Sequence, residues 1–238
     1  MSASKPLLVL VHGWGFDPSV WDSVLASPRL SGVDVERIDL GFAAVESPNP
    51  VPGGPDEAGA VLLSSRELPV DRPLIGVGHS VGFAWLLRQP VAWRGLVSIN
   101  GFARFTRTED FPEGVPARLL ERMIVRLQAD PQGVARDFLR RCGVEAPEVE
   151  RLHPAALAEG LQWLARWDLR GALAAWSGPL LALAAEDDPI VPAAMSLASF
   201  PASSLRIEEG GGHLLPRTRA GRCAEAIADF LDDLGGPR

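Results

Sequence analysis

Short apolar runs alternate with segments of helical periodicity along most of this chain, and the alternation predicts an α/β protein. The runs are rich in Val, Ile and Leu, as expected for strands that a parallel sheet buries on both faces. The segments between them suit helices that cross over from one strand to the next. The predicted strands are residues 7–11, 33–38, 74–77, 96–99, 179–185 and 205–208.

Local signals mark where several connecting segments begin. Asp17 and Pro18 form an N-cap followed by a first-position proline, which predicts a helix from that point. A second helix is expected over 81–88, and the last helix is expected to begin near Pro216. Residues 43–55 are rich in Pro and Gly, which predicts a loop.

Residues 102–175 break the alternation, because they contain helical patterns and no convincing strand. The helical patterns cover 116–128, about 130–141 and 154–167. A helical insertion between two strands of an α/β sheet can cover a site at the strand ends. We therefore expect a lid at 102–175 on a core formed by residues 1–101 and 176–238.

Composition narrows the classes of function. The chain has 238 residues, of which 47% are hydrophobic and 22% charged, as in a folded globular protein. The formal net charge of −7 disfavours nucleic acid as a partner. Neither a membrane-spanning run nor a secretory signal is apparent, and two widely spaced cysteines fit a reducing compartment, so a cytoplasmic protein is expected.

The strongest chemical signal is the sequence Gly78-His79-Ser80-Val81-Gly82. It follows a predicted strand and opens a predicted helix, which is the context that the G-x-S-x-G motif requires. Glycines suit this turn because a side chain at either position would collide with the neighbouring strand or helix. Ser80 is therefore a candidate nucleophile, with the Val81 amide at a helix N-terminus, where negative charge is favoured.

A serine nucleophile needs a general base, and the chain offers four histidines. His12 ends the first predicted strand, His79 is the neighbour of Ser80 on the turn, and His153 lies in the helical insertion. His213 follows three glycines after the last predicted strand, where a loop at the strand ends is expected. Elimination and the order serine, acid, histidine along the chain favour His213 as the base.

The carboxylate that would orient the base is expected in the loop after the fifth predicted strand. Glu186, Asp187 and Asp188 all lie there, between the serine and the histidine in sequence. Periodicity does not choose among these three residues.

An oxyanion site is expected from the sequence His12-Gly13-Trp14-Gly15 after the first strand. Glycines in that turn allow a backbone N–H to face a negatively charged oxygen. We expect the amides of Trp14 and Val81 to form the oxyanion hole. The alternative is a simple strand-ending turn.

With these residues assembled, the chain resembles the α/β-hydrolase superfamily over nearly its whole length. Within it, the chain is most similar to the pimeloyl-[acyl-carrier protein] methyl ester esterases of biotin synthesis. The similar segments are residues 8–21, the lid entry at 112–114, the lid exit at 168–170, the acid loop Asp188-Pro-Ile-Val-Pro192 and the pair Gly212-His213. His79 departs from the tryptophan that this esterase group often has there.

The resemblance implies an α/β-hydrolase fold with a helical lid and a Ser80, Asp188 and His213 triad, because the acid loop pattern selects Asp188. It implies a serine carboxylesterase acting on a pimeloyl methyl ester attached to carrier protein, and on small short-chain esters. We expect a monomer that needs no metal or organic cofactor.

Two surfaces are candidates for holding such a substrate. An apolar acyl pocket is expected to include Trp14, Phe102, Phe105 and Phe111. The first insertion helix is expected to carry a ridge of Arg118, Arg122 and Arg126 at spacings of four residues. An acidic acyl carrier protein would be attracted to that ridge, and a solvated helix face is the alternative.

Two other classes of function remain open from the sequence. One is a carbon–carbon lyase or hydrolase with the same triad, of the menaquinone-pathway type. The other is a non-catalytic binding protein with a hydrolase fold, which the retention of Ser80, Asp188 and His213 argues against.

Overall fold

The computed structural model describes residues 5–43, 68–69 and 71–235, and its core is a parallel β-sheet. Within these residues the sheet has six strands in the order β2-β1-β3-β4-β5-β6, and every pairing is parallel. The strands are β1 (Leu7–Val11), β2 (Asp34–Ile38), β3 (Leu74–His79), β4 (Trp93–Ile99), β5 (Leu180–Ala185) and β6 (Leu205–Glu208). This confirms the predicted α/β-hydrolase type of sheet. Ligands bind beyond the carboxyl ends of such strands.

Helices connect the strands and extend the molecule between β4 and β5. They are α1 (Asp22–Leu25), α2 (Val81–Arg88), α3 (Ala117–Ala129), α4 (Pro131–Arg141), α5 (Pro154–Arg166), α6 (Arg170–Ala174), α7 (Ala193–Ser199), α8 (Leu215–Thr218) and α9 (Ala220–Leu234). Short 3-10 turns lie at Pro18–Trp21, Pro28–Leu30 and Gly212–Leu214. Asp17 accepts a hydrogen bond from the Ser19 amide at 2.7 Å, as its predicted capping role requires.

The predicted elements agree with this structure except at some boundaries. The last helix is two helices, α8 and α9, because the backbone at Arg219 leaves the helical conformation with φ −131° and ψ 39°. Helices α6 and α7 were not predicted. Of the predicted loop at 43–55, only Ala43 lies within the described residues, and it pairs with Leu152 in an isolated bridge.

The insertion between β4 and β5 is fastened to the sheet by α5. The indole nitrogen of Trp14 donates a hydrogen bond to the Leu157 carbonyl at 2.8 Å. Gly160 allows this approach, because a Cβ there would lie 2.5 Å from the Trp14 ring. Beyond the end of α5, Arg88 of α2 lies 4.8 Å from the ring centroid of Trp167, at the distance of a cation–π contact.

An ion-pair cluster joins the two ends of the insertion. Asp168 accepts hydrogen bonds from Arg104 and from Arg170, and Arg170 also pairs with Asp110 at 2.8 Å. These hydrogen bonds, first of all the one from Arg170, hold the pKa of the Asp168 carboxyl well below its ordinary value of 3.8. Since Asp168 is 33% exposed, water weakens the cluster but does not remove it.

We expect Asp168→Asn to lower the free energy of unfolding at neutral pH by about 1 kcal/mol, which corresponds to about 2–4 °C in Tm. A carboxyl whose pKa is depressed by folding stabilises the protein above its unfolded pKa. The difference between variant and wild type should therefore shrink as the pH falls below 3.8 and vanish once folded Asp168 is protonated.

Thermal melts of wild type and Asp168→Asn between pH 7 and pH 2 measure this difference. Asp229→Asn is the matched control, because Asp229 pairs with Arg29 on an open surface and should cost less. A constant difference across the whole pH range would contradict the assignment.

The structure shows the state of the two cysteines and whether any described helix could cross a membrane. Cys142 and Cys223 are both buried free thiols, and burial raises the pKa of Cys223 to about 12. Among the residues described, no helix is long and apolar enough to cross a membrane.

Candidate active site

Ser80 occupies a sharp turn between β3 and α2. Its φ of 55° is in the left-handed region, which is uncommon for a residue with a side chain and is a form of strain found at functional sites. Its amide donates to the Ile99 carbonyl at 3.0 Å, which fixes the turn against β4. The turn thus holds the Ser80 side chain at the carboxyl end of the sheet, ahead of the first turn of α2.

The two glycines of the motif are required because neighbouring backbone atoms lie very close to both of them. A Cβ on Gly78 would lie 2.4 Å from the backbone of Phe83, and one on Gly82 would lie 2.4 Å from the Val11 carbonyl oxygen. Both contacts are far inside van der Waals distance. The turn can therefore be this tight only because neither position carries a side chain, as the sequence predicted.

Ser80, His213 and Asp188 form a continuous hydrogen-bonded chain. The Ser80 hydroxyl lies 3.1 Å from Nε2 of His213, and Nδ1 of His213 lies 2.8 Å from Oδ2 of Asp188. Ser80 is 4% exposed, Asp188 is 5% exposed and His213 is fully buried. The structure thus brings together the three side chains that the sequence singled out.

The hydrogen-bond partners of Asp188 determine which ring nitrogen of His213 carries the proton. Oδ1 of Asp188 accepts hydrogen bonds from the Ile190 amide at 2.7 Å and the Val191 amide at 2.9 Å. Oδ2 is left to accept from His213, so Nδ1 of that ring carries the proton. Nε2 then presents a lone pair to the Ser80 hydroxyl, which is the geometry needed to remove its proton.

The two neighbouring acids occupy different positions from Asp188. Asp187 accepts a hydrogen bond from the Gly212 amide at 2.8 Å, and Glu186 is exposed. Of the three carboxylates that the sequence left open, only Asp188 therefore contacts the His213 ring.

The loop after β1 runs directly beside Ser80. A Cβ on Gly13 would lie 3.0 Å from the Ser80 Cβ, so only a glycine allows this approach. His12 is fully buried, and its Nδ1 lies 3.0 Å from the Gly13 carbonyl. The Trp14 amide is the next along this loop, and the Val81 amide follows Ser80 at the start of α2.

His79 has a position that the sequence reasoning did not foresee. Its ring nitrogens do not hydrogen-bond to the Ser80 hydroxyl, and its ring centroid lies 5.0 Å from that of His213. Its Nε2 donates to the His213 carbonyl at 2.9 Å, while its buried Nδ1 has no hydrogen-bond partner among the described residues. Burial, followed by the nearby charge of His213, holds the pKa of His79 well below 6.5.

The four expected pocket residues lie in different places. Phe105 lines a cavity of about 690 Å³ between the 105–116 segment, α3, α4 and the loop after Asp188. Phe102 packs on Phe105 with ring centroids 5.0 Å apart, and Trp14 is held by its bond to α5. Phe111 lies under the Arg170 guanidinium in the ion-pair cluster and is not among the residues that line the cavity.

Phe138 of α4 is the aromatic residue that connects this cavity with the catalytic candidates. It lines the cavity, and its ring centroid lies 4.8 Å from Trp14 and 6.4 Å from His213. The sequence placed Phe138 on the apolar stripe of the helix predicted at about 130–141, but no pattern in it indicated that this ring would contact His213.

The three arginines of the predicted ridge differ in their ion pairs. Arg126 pairs with Asp137 at 2.6 Å and with Asp130 at 3.3 Å. Arg118 and Arg122 are exposed, and Arg122 lies with Arg126 on the lining of the 690 Å³ cavity. Arg126 is therefore neutralised by its acidic partners, and Arg122 is the other ridge member that lines the cavity.

No cluster of three or more potential metal ligands occurs among the residues that the structure describes.

Comparison with known sequences identifies relatives over nearly the whole chain. It is 29% identical to the biotin biosynthesis bifunctional protein BioHC of Cellvibrio japonicus, over 97% of this chain and 48% of that protein, so it spans about half of that relative. It is 28% identical to a pimeloyl-[acyl-carrier protein] methyl ester esterase of Xanthomonas oryzae, over 95% of both chains. A Neisseria meningitidis esterase of the same name is 27% identical, over 94% of this chain and 76% of its own.

Solved structures agree on the fold. An esterase from Exiguobacterium antarcticum superposes with a TM-score of 0.74 at 14% identity, covering 98% of this chain and 93% of its own. MenH from S. aureus superposes with a TM-score of 0.72 at 15% identity, covering 99% of this chain and 97% of its own. At these identities the likeness concerns the fold alone. The profile of the alpha/beta hydrolase family matches residues 8–226, and the chain therefore belongs to that family.

Proposed function

We propose that this protein is a serine carboxylesterase in which Ser80 is the nucleophile, His213 the general base and Asp188 the orienting acid. The observation that carries the proposal is the buried chain of hydrogen bonds through these three side chains, at 3.1 Å and 2.8 Å. The relatives are named as esterases, which supports hydrolysis of a carboxylic ester.

The reaction follows from this geometry. Ser80 Oγ attacks the ester carbonyl as Nε2 of His213 takes its proton, and Asp188 stabilises the imidazolium that results. The amides of Trp14 and Val81 hold the oxyanion, an interaction worth about 3–4 kcal/mol per donor in comparable sites. His213 gives its proton to the leaving alcohol. Water then attacks the acyl-enzyme as His213 removes a proton from the water, and His213 passes that proton to Ser80 Oγ as the carboxylic acid leaves.

The relatives and the cavity point to a substrate with an acyl chain. Two of the relatives are named for a methyl ester of a pimeloyl chain on acyl carrier protein, and a third for biotin synthesis. The cavity has the size of a typical small-ligand site and includes Phe105, Leu120, Met123, Phe138 and Ile190 in its lining. We therefore propose pimeloyl-[acyl-carrier protein] methyl ester as the substrate.

Residues 102–175 act as a lid in this proposal. Ser80 and His213 are almost inaccessible to solvent, and the insertion supplies Phe138, which packs on the His213 ring. Substrate entry thus requires α4 to shift away from the strand ends. The attachment of α5 through Trp14 and Leu157 keeps that helix on the sheet, and α3 packs against α5, so α4 is the part of the lid that moves.

The substrate is tested by comparing the carrier-linked pimeloyl methyl ester with pimeloyl methyl ester on pantetheine alone. We expect hydrolysis of both, with a higher kcat/KM for the carrier-linked form that declines as salt is added, because the attraction is electrostatic. Arg122→Glu should lower kcat/KM by about fivefold or more for the carrier-linked ester only.

Arg94→Glu is the matched control, since Arg94 is exposed near the start of β4, at the opposite edge of the sheet from Ser80. Hydrolysis of both esters without preference for the carrier would contradict carrier recognition and leave the esterase intact. Failure to hydrolyse any ester would contradict the esterase itself and favour the carbon–carbon lyase class.

A further inference from the structure

The loop that carries His213 has little intrinsic order. Gly210, Gly211 and Gly212 precede the histidine, and all three have positive φ values, of 70°, 102° and 60°. A run of glycines loses more conformational entropy on folding than any other sequence. The position of the His213 ring therefore depends on contacts that hold this loop from outside.

One such contact comes from the serine turn itself. A backbone carbonyl oxygen only accepts hydrogen bonds, so His79 Nε2 must carry the proton that it donates to His213. Burial lowers the pKa of His79 and keeps its imidazole neutral, and the unprotonated Nδ1 faces Gly13 so closely that a Cβ there would lie 2.9 Å away.

A second contact comes from the end of β4. The side-chain amide of Asn100 donates to the Gly212 carbonyl at 2.8 Å and to the His213 carbonyl at 3.0 Å. Its oxygen accepts from the Ala185 amide at 2.8 Å, at the end of the strand that leads to Asp188. Asn100 has φ 48°, which asparagine tolerates better than most residues.

We propose that His79 and Asn100 are positioning residues that clamp the His213 carbonyl from two sides and so hold the imidazole between Ser80 and Asp188. The proposal rests on the catalytic role of His213 given above. Both side chains are buried, and they tie the glycine loop to the elements that carry the nucleophile and the acid. The clamp holds the backbone of His213, whereas Asp188 holds its imidazole ring.

A neutral donor is the suitable choice at position 79. The reaction places a positive charge on His213, and the two rings have centroids only 5.0 Å apart. A cationic donor such as Lys or Arg at this position would repel the imidazolium and weaken the base. An imidazole kept neutral by burial supplies the hydrogen bond without that charge.

The test compares His79→Phe, which keeps a ring but loses the donor, with His79→Gln, whose amide nitrogen lies the same number of bonds from Cα as Nε2. Loss of one buried hydrogen bond to the base loop should lower kcat about tenfold in His79→Phe with little change in KM. His79→Gln should recover most of kcat. Recovery by an amide distinguishes a lost donor from general loosening of the core.

Trp93→Phe is the matched control, since Trp93 is a buried ring that donates to the Leu86 carbonyl at 3.2 Å, away from the loop. It should lower Tm and leave kcat within about twofold. If His79→Phe does not fold, Asn100→Asp takes its place. This variant keeps the oxygen that accepts from the Ala185 amide but loses the NH₂ group that donates to the Gly212 and His213 carbonyls. It should also lower kcat. A wild-type kcat in the folded variant, or no recovery with His79→Gln, would overturn the clamp.

A readout independent of esterase activity separates the clamp from the proposed function. The His213 Nδ1 proton, hydrogen-bonded to Asp188, gives a downfield ¹H resonance whose broadening reports exchange with solvent. The resonance should broaden at a lower temperature in His79→Phe than in wild type or Trp93→Phe. Equal broadening in all three would overturn the clamp, whereas absence of wild-type ester hydrolysis would contradict only the esterase.

Discussion

Replacing Ser80 with alanine is expected to lower kcat for p-nitrophenyl acetate and butyrate by about 10⁴-fold or more. The reason is that the variant has no nucleophile, while the His213 ring and the amides of the oxyanion site remain. Activity that persists above the uncatalysed rate should come from those amides and from binding alone. The measurement is initial-rate hydrolysis of the acetate, butyrate and octanoate esters by wild type and variant, and we expect the wild type to prefer the short chains.

Ser98→Ala is the matched control for this change. Ser98 is a fully buried serine on β4, level with Gly78 on β3, and its hydroxyl has no hydrogen-bond partner among the described residues. Its removal should leave kcat within about twofold. Retention of a tenth or more of wild-type activity by Ser80→Ala would show that another residue attacks the ester.

Asp188→Asn is expected to lower kcat by about 10³–10⁴-fold without unfolding the protein. The amide oxygen of asparagine would stay with the Ile190 and Val191 amides, because only an acceptor satisfies them. Its NH₂ group then faces Nδ1 of His213, which must become an acceptor. The proton moves to Nε2, and the ring can no longer take a proton from Ser80.

Glu186→Gln separates this effect from a general change of charge in the loop. Glu186 is exposed two residues before Asp188, and it is Asp188 whose carboxylate bonds the His213 ring. We expect the kcat of Glu186→Gln to stay within about twofold of wild type. Equal losses in the two variants would contradict the assignment of the acid.

The strands were predictable because each is a short apolar run buried on both faces. The ranges expected for β1 and β6 agree with the structure at both ends, and those for β2 and β5 differ by one residue. The break between α8 and α9 was not predictable, since it depends on the backbone conformation of Arg219 and leaves the apolar stripe of α9 unchanged.

The candidate site was predictable as far as its residues follow strand ends in a recognisable order. Ser80 and His213 could be placed that way, because the carboxyl ends of parallel strands gather at one edge of the sheet. The choice of Asp188 over its two acidic neighbours depended on family resemblance, since three consecutive loop residues have no periodicity.

The surroundings of the site could not be read from the sequence. His79 and Asn100 reach the His213 carbonyl across sequence separations of more than a hundred residues, and a backbone carbonyl leaves no trace in a motif. Phe138 was expected in a helix, but its contact with Trp14 depends on how α4 lies on the sheet. Such contacts are set by tertiary packing.

Ser80 is tested as the nucleophile most directly by covalent labelling of the wild-type protein with a fluorophosphonate, followed by peptide mass spectrometry. The reagent reacts with a serine whose proton an adjacent base removes, so it reports the chemistry without assuming a substrate. We predict a single adduct on Ser80, loss of esterase activity in proportion to labelling, and no adduct in Asp188→Asn on the same timescale. An adduct on another residue, or full labelling of an enzyme that stays active, would contradict Ser80 as the nucleophile.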